Sequence, residues 1–399
     1  MLQERMTVSN HERRARMRRA MEAARLDALV LRLPENVLLL SGHWPMIGAA
    51  WLVFPFEGEA TCLVPRCYED EVTGSLEDCG ASFYAFGSTD APAPMGLVAG
   101  SLKELAQGRG WKRIGYEGNF EFAAPSWNAA EAMVPAATTL SLLQTVFDGA
   151  ELVDVTSLLT RERLTKTAYE VGRLAIASEI SCFAMEAFEA AVDVGISGVE
   201  LAAIAEQAAM VKGTGYRGSV RVRGFAQVTT GAAETAKAHR PNIISTARKM
   251  EDGDLAVLEL GLVADGYWAD RTRVGVAGTP REEQVRIFET VRKAQEAAVA
   301  TIRHGALARD VDEAARSVIR DAGYGASFPH ITGHGLGFGY HEAAPILGPH
   351  SRDVLEEGML TSVEPGIYTR EFGGCRIEDD VVVTATGQQV LGPFRKTLT

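Results

Sequence analysis

Apolar positions set the first reading of the chain. Residues 9–25 place them at helical spacing among many charges, so an amphipathic helix opens the fold. DALVLRL then reads as a buried strand, and WLVFP around Val53 and ATCLVP around Leu63 as two more, each bounded by Gly or Pro. Residues 85–100, rich in Ala, Pro, Gly and Ser, read as a surface loop. A long helical pattern runs from about Ala168 to Val194, and three later helices carry start signals. Ser197 with Glu200 forms an S-x-x-E capping box ahead of Leu201, Ile204, Ala205 and Ala208 on one face. Thr279 with Glu282 forms another, with Pro280 at the first helical position and a stop at Gly305 after about His304. Asp310 caps a shorter helix that ends near Gly323. Between and after these helices lie the strands DLAVLEL, YWADRTRVGV, MLTSVE and DDVVVT.

A small α/β region is thus followed by one in which helices are segregated from antiparallel hairpins. The pattern predicts an α+β chain of two domains, residues 1–158 and 159–399, divided ahead of the charged stretch RERLTKTAYE. A length of 399 residues, too great for one ordinary core, agrees. With 46% hydrophobic and 23% charged residues, the composition is that of a soluble globular protein. The net charge of −12 argues against a nucleic-acid partner. The longest apolar runs, Val37–Leu40 and Ala49–Phe54, are too short to cross a bilayer, so no membrane association is expected. The charged N-terminal stretch continues into the first helix with no apolar core or cleavage site behind it, which predicts a cytoplasmic protein. Cys62, Cys67, Cys79, Cys182 and Cys375 are odd in number and lack a CxxC pair, so reduced thiols are expected.

Candidate chemistry concentrates between residues 259 and 378. Glu259, Asp270, His334, Glu364 and Glu378 are five potential metal ligands, hard and oxygen-rich, able to neutralise two divalent cations. Two adjacent cations activate a shared water and polarise a carbonyl, so the set predicts a metal-dependent hydrolase. A four-residue loop from Val263 to Gly266 would set Glu259 directly opposite Asp270, with Cβ atoms about 4.5–5.5 Å apart. Two facing carboxylates repel without a cation, although a solvated hairpin with ordinary surface acids is an equal reading of that pair alone. PHITGHGLGFGYHEAAP holds His330, His334 and His341, three of the eight histidines, among glycines that allow close backbone approach. In GMLTSVEPGIYTREFGGCRIEDDVVV, Glu364 ends one strand before Pro365 and Glu378 sits in the next. Arg376 nearby is suited to pair bidentately with a ligand carboxylate or a substrate carboxylate.

These motifs resemble those of the Xaa-Pro peptidases: prolidase, aminopeptidase P and their creatinase-type relatives. GHGLG with YHEAAP, VEPGIY, RIEDDVVVT and GYWADRTR carry the likeness over about residues 160–395, and RERLTKTAYEV resembles the start of the family's catalytic domain. The first half resembles the smaller N-terminal domain more weakly, through its helix and LDALVL strand. The resemblance implies a pita-bread catalytic domain behind a creatinase-type N-terminal domain. It also implies two divalent metal ions, Mn before Co or Zn, bridged by Asp270 and Glu378. His334 and Glu364 would complete one shell and Glu259 would hold the other metal. Glu364 would also carry protons, His330 and His341 would orient the scissile carbonyl and stabilise the tetrahedral intermediate, and His239 would contact substrate. The implied substrate is a small peptide with proline at the second position, cut by a dipeptidase or an aminopeptidase, and the implied assembly is a homodimer. Position 259 departs from the family, which usually has Asp there; the extra methylene moves the carboxylate by about 1.5 Å, which bears on the second metal. Two other readings keep the fold: a creatinase-like hydrolase or lyase on a small non-peptide substrate, and a binding module that has lost catalysis. Both kinds of relative lack ligands that this chain retains.

Overall fold

The computed structural model describes the chain apart from residues 1–9, 46–49, 73–75, 77, 86–93, 119–136, 241–242 and 399. The chain forms two compact units that divide between Arg163 and Leu164.

The first unit runs α1 His11–Ala24, β1 Ala28–Leu31, α2 Pro34–Ser41, β2 Trp51–Pro55, β3 Ala60–Pro65, α3 Glu69–Val72, β4 Cys79–Tyr84, α4 Pro94–Ala106, β5 Arg113–Tyr116, α5 Ala137–Val146 and β6 Glu151–Asp154, with α6 Thr156–Leu164 at the division. Its six strands form one mixed sheet in the order β4-β3-β2-β1-β5-β6. Val30, Trp51, Val53, Leu63 and Ile114 cover one face and pack against Val98, Leu102 and Leu143. Part of the stretch expected as a loop is helical: Val98 and Leu102, one turn apart, supply a buried stripe that Gly- and Pro-rich composition hid. Residues 86–93 of that stretch lie outside the described residues. Buried Glu117 follows β5 and accepts hydrogen bonds from Arg32 N (2.7 Å), Leu33 N (2.9 Å) and Asn36 Nδ2 (2.9 Å), an anionic anchor for the N-terminus of α2.

The second unit runs α7 Ala168–Ala191, α8 Gly198–Gly213, β7 Val222–Thr230, α9 Gly231–Thr235, β8 Leu255–Ala264, β9 Tyr267–Val276, α10 Glu282–Thr301, α11 Ala308–Asp321, β10 Gly333–Gly335, β11 Glu342–Leu347, β12 Leu360–Val363, β13 Gly366–Thr369, β14 Gly373–Arg376, β15 Asp379–Thr384 and β16 Gly387–Val390. The strands form a β7-β8-β9 sheet, a β11-β10-β12-β15-β16 sheet and the β13-β14 hairpin. Strand β8 is buried on both faces. Ala256, Leu258, Leu260 and Leu262 join a core with α7 and α8. Leu255 and Val257 point the other way and join the core of α10 and α11 with Val363, Val381 and Val383. Two-sided burial explains why this strand reads as a near-continuous apolar run, with Glu259 as its one acid.

Several boundaries differ from expectation. Helix α10 begins two residues later than expected: Arg281 is the N-cap, its N–H donates to the Gln284 side chain at 2.8 Å, and Pro280 lies outside. Leu307, not Asp310, precedes α11, which leaves Asp310 in the first turn, where an acid still favours the helix dipole. Glu378 stands in the two-residue link between β14 and β15 rather than inside a strand. Strands β8 and β9 are joined by two residues, Asp265 (φ 50) and Gly266 (φ 89), not four. Asp-Gly favours a type I′ turn, in which both central residues take positive φ. The register therefore pairs Glu259 with Thr272 and Gly261 with Asp270, so Glu259 and Asp270 are diagonal neighbours on one face.

Candidate metal centre

Five elements converge beside that face. Strand β8 brings Glu259, β9 brings Asp270 and Thr272, β10 brings His334, and the residues just after β12 and β14 bring Glu364 and Glu378. His334 reaches the carboxylates because glycine lies on either side of it in a tightly packed sheet. A Cβ at Gly335 would stand 2.0 Å from the Ala344 carbonyl oxygen. The five residues predicted as ligands do assemble: one donor atom each of His334, Glu364 and Glu378 lie within 4.8 Å of one another, as do those of Glu259, Asp270 and Glu378. A third group adds His341 to Asp270 and His334.

His334 Nδ1 donates to the Gly335 carbonyl at 3.0 Å, which leaves the Nε2 lone pair facing the acids. Nε2 is 3.5 Å from Asp270 Oδ2 and 3.5 Å from Glu364 Oε1. Two donors about 2.1 Å from one cation, at octahedral or tetrahedral angles, stand about 3.0–3.4 Å apart, so these gaps suit an ion between the atoms. The acids are otherwise placed at a loss. Among the described residues neither oxygen of Asp270 accepts a hydrogen bond, nor does Glu378 Oε1, and both side chains are fully buried. Burial, then the neighbouring carboxylates of Glu378, Glu259 and Glu364, push Asp270 well above the usual carboxylate range. Burial, then Glu259 and Glu364, do the same to Glu378. Burial lifts Glu364 to about 8 against the attraction of Arg376. The donor set thus fits divalent cations: the orphaned oxygens and the excess negative charge both call for positive charge at this point.

Glu259 stands apart. Burial would raise it, but Arg376 and hydrogen bonds from Thr272 and Tyr340 outweigh burial and hold it at about 2. Arg376 Nη2 pairs with Glu259 Oε2, Nε donates to Thr272 Oγ1 at 2.9 Å, and Nη1 donates to the Ala238 carbonyl (2.9 Å) and the Tyr368 hydroxyl (3.2 Å). Four of its five N–H groups are engaged inside the protein, so Arg376 meets a site carboxylate through a single N–H, not bidentately as expected. The Thr272 hydroxyl lies 2.6 Å from Glu259 Oε2 and 2.7 Å from Glu378 Oε2, with one proton to donate to either.

The other histidines line the same region. His341 stacks on His334 with ring centroids 4.0 Å apart, and its Nδ1 has no hydrogen-bond partner among the described residues. Burial and the adjacent His334 push it down to about 3, so the ring is neutral near pH 7. His330 has both nitrogens engaged, Nδ1 on the Ile331 carbonyl at 2.8 Å and Nε2 on the Tyr368 hydroxyl at 3.0 Å. His239 packs edge-on against Tyr368 with centroids 5.1 Å apart, and its buried Nδ1 is also unpartnered among the described residues.

Sequence reasoning missed the residues that hold this set in place. Thr272 was within reach, since the Asp-Gly turn dictates its pairing with Glu259. Asp380 accepts from Asp270 N–H at 3.2 Å and from Ser178 Oγ at 2.7 Å, which ties β9 to β15. Asp379 is clasped by Arg273 (2.6 Å), Lys396 (3.0 Å) and Arg271 (3.1 Å). Buried Lys166 pairs with Glu342 at 2.6 Å, next to His341. No local sequence signal marks these long-range pairs.

Residues 172–385 match the model of metallopeptidase family M24, and residues 13–165 match the creatinase/prolidase N-terminal domain. The chain is 40% identical over 166 residues to an Xaa-Pro dipeptidase of Pyrococcus furiosus, a match covering 41% of this chain and 47% of that one. It is 36% identical over 235 residues to an Xaa-Pro dipeptidase of Lactobacillus helveticus, covering 59% of this chain and 61% of that one. The chain therefore spans about half to three fifths of the length of these curated relatives. The crystal structure of a prolidase from Pyrococcus horikoshii superposes with a TM-score of 0.77 at 27% identity, covering 97% of this chain and 100% of that one. The arrangement of two units, with helices on both faces of the second unit's strands, is the α+β pita-bread fold behind a creatinase-type N-terminal domain.

Proposed function

The chain belongs to metallopeptidase family M24, and on that premise we propose that it hydrolyses the peptide bond preceding proline in small peptides. The observation that carries the reading is that the buried oxygens of Asp270 and Glu378 Oε1, beside His334 Nε2, have no hydrogen-bond partner among the described residues. Asp270, Glu378, His334, Glu364 and Glu259 would hold two divalent cations, with Mn²⁺ suited to so oxygen-rich a set. Bound there, the cations supply a nucleophilic water at neutral pH and polarise the scissile carbonyl.

The chain's own residues do the remaining work. His334 is locked in the tautomer that presents Nε2 by its bond to Gly335. His341, neutral near pH 7 and with Nδ1 unengaged among the described residues, would bond the substrate carbonyl. Glu364 carries the proton of the attacking water toward the leaving proline nitrogen. His239 and His330, both packed on Tyr368, would contact the substrate. Proline needs such a site because its nitrogen has no N–H to offer a general peptidase. The reading includes a homodimer and a reducing, cytoplasmic setting; the second is supported by the five free cysteines. No helix of the described residues is long and apolar enough to cross a membrane.

The test pairs metal analysis with product analysis. Metal per chain is measured after Mn²⁺ loading, and an X-Pro dipeptide and an X-Pro tripeptide are offered as substrates. Two cations with proline release from the dipeptide is the expected result. Cleavage of the tripeptide alone assigns aminopeptidase action. Bound metal with neither peptide cut overturns the Xaa-Pro assignment in favour of a small non-peptide substrate. A chain that takes up no metal overturns the hydrolase reading itself.

A further inference from the structure

The five donors are not equivalent. Asp270 offers both oxygens free of hydrogen bonds among the described residues, whereas both oxygens of Glu259 are already engaged. Glu259 Oε2 receives Arg376 and lies 2.6 Å from the Thr272 hydroxyl, whose one proton it shares with Glu378 Oε2. Among the described residues Oε1 receives only the Tyr340 hydroxyl, at 2.8 Å, and so keeps one lone pair for a cation. Tyr340 is held for this contact from three sides. Its ring lies 5.6 Å from Trp268 and 4.5 Å from His341, centroid to centroid. Its third side rests on β8 at Gly261, where a Cβ would stand 2.9 Å from two ring carbons, so the ring sits there only because residue 261 has no side chain. Gly261 and Glu259 are two apart on the same strand face, which brings the phenol over the carboxylate.

We propose that Tyr340 is a positioning residue for Glu259: its phenol fixes Oε1 so that this long carboxylate presents a single directed lone pair to the second cation. The inference rests on the reading of Glu259 as a ligand given above. A glutamate has three side-chain torsions, and Arg376 with Thr272 restrains only one oxygen. Without the phenol the other oxygen rotates, and the second cation must order it at its own expense. The first cation, among Asp270, Glu378, His334 and Glu364, touches neither residue of the pair. Partners that orient ligands are worth tens of times in metal affinity, so the loss on removing one hydroxyl is about tenfold.

The experiment is calorimetric titration of the metal-free full chain with Mn²⁺, for wild type, Tyr340→Phe, Glu259→Asp and the double variant. Phenylalanine keeps the ring and its packing. Aspartate draws the carboxylate back by one C–C bond, about 1.5 Å, beyond reach of the phenol. Wild type is expected to bind two cations in separable steps. Tyr340→Phe weakens the second step about tenfold and leaves the first unchanged. In the Glu259→Asp background, Tyr340→Phe has no further effect, because the two residues no longer touch. A second step that does not move in Tyr340→Phe overturns the inference. So does equal weakening of both steps, which marks general loosening, or an undiminished effect in the Glu259→Asp background. One cation per wild-type chain overturns it as well, while no cation at all overturns the metal reading beneath it.

Discussion

Replacing Asp270 by Asn should stabilise the metal-free protein and reduce its stabilisation by metal. Asp270 is fully buried, both oxygens lack donors among the described residues, and four acids crowd it. Its folded-state pKa lies well above its ordinary value of 3.8. A raised carboxylate binds more protons folded than unfolded, so its contribution is complete below pH 3.8 and is lost as pH rises toward the folded value. The loss accrues at about 1.36 kcal/mol per pH unit across that interval. Glu378 shares the proton load, so the two acids lose this contribution together. Asn is isosteric with the protonated acid and never ionises, so the variant avoids this loss. Urea unfolding of chelator-treated wild type and Asp270→Asn at pH 5 and pH 7 reads the difference. The variant's lead should grow from the lower pH to the higher, by no more than about 1.36 kcal/mol per pH unit. With Mn²⁺ at a hundred times its Kd the wild type recovers about 2.7 kcal/mol, and the variant recovers less. A metal-free variant no more stable than wild type at pH 7, or two parallel pH curves, would refute the account of Asp270 as a charge held in deficit.

Other consequences follow from the same electrostatics. Asp270, Glu378 and Glu364 are all raised in the metal-free protein, Glu364 to about 8, so loading Mn²⁺ at pH 7 should expel protons; calorimetry in buffers of different ionisation enthalpy counts them, and a count of zero contradicts the raised values. Lys166→Met leaves Glu342 buried beside His341 without its cation and should cost about 3–5 kcal/mol, part of it recovered by adding Glu342→Gln; urea midpoints of the two variants decide it. In the first unit, burial pushes Glu117 up to about 7 against hydrogen bonds from Asn36, Arg32 and Leu33. Its stabilising contribution is therefore complete below pH 4.5 and is lost as pH rises through about 7. Glu117→Gln should flatten the pH dependence of thermal stability between pH 5 and 8, and unchanged curvature would count against it.

Much of this protein was legible along the chain. The period of apolar residues located α1, α7, α8 and the strands β1, β2, β3, β8, β9, β12 and β15, because burial writes a local pattern with a local period. The identities of five hard donors in order marked the chemistry, since few other arrangements need four acids and a histidine among buried strands. The Asp-Gly pair also held the true register of β8 and β9, although a longer loop was first read there. Tertiary structure decided the rest. Whether Glu259 faces Asp270 or Thr272 depends on a two-residue turn, and a shift of two positions changes every cross-strand partner while leaving the face unchanged. That Arg376 pairs with Glu259, that Tyr340 rests on Gly261, and that Lys166 meets Glu342 are contacts between residues 79 to 176 positions apart. Such contacts leave no periodic trace, because they are fixed only when separate strands close around one buried charge.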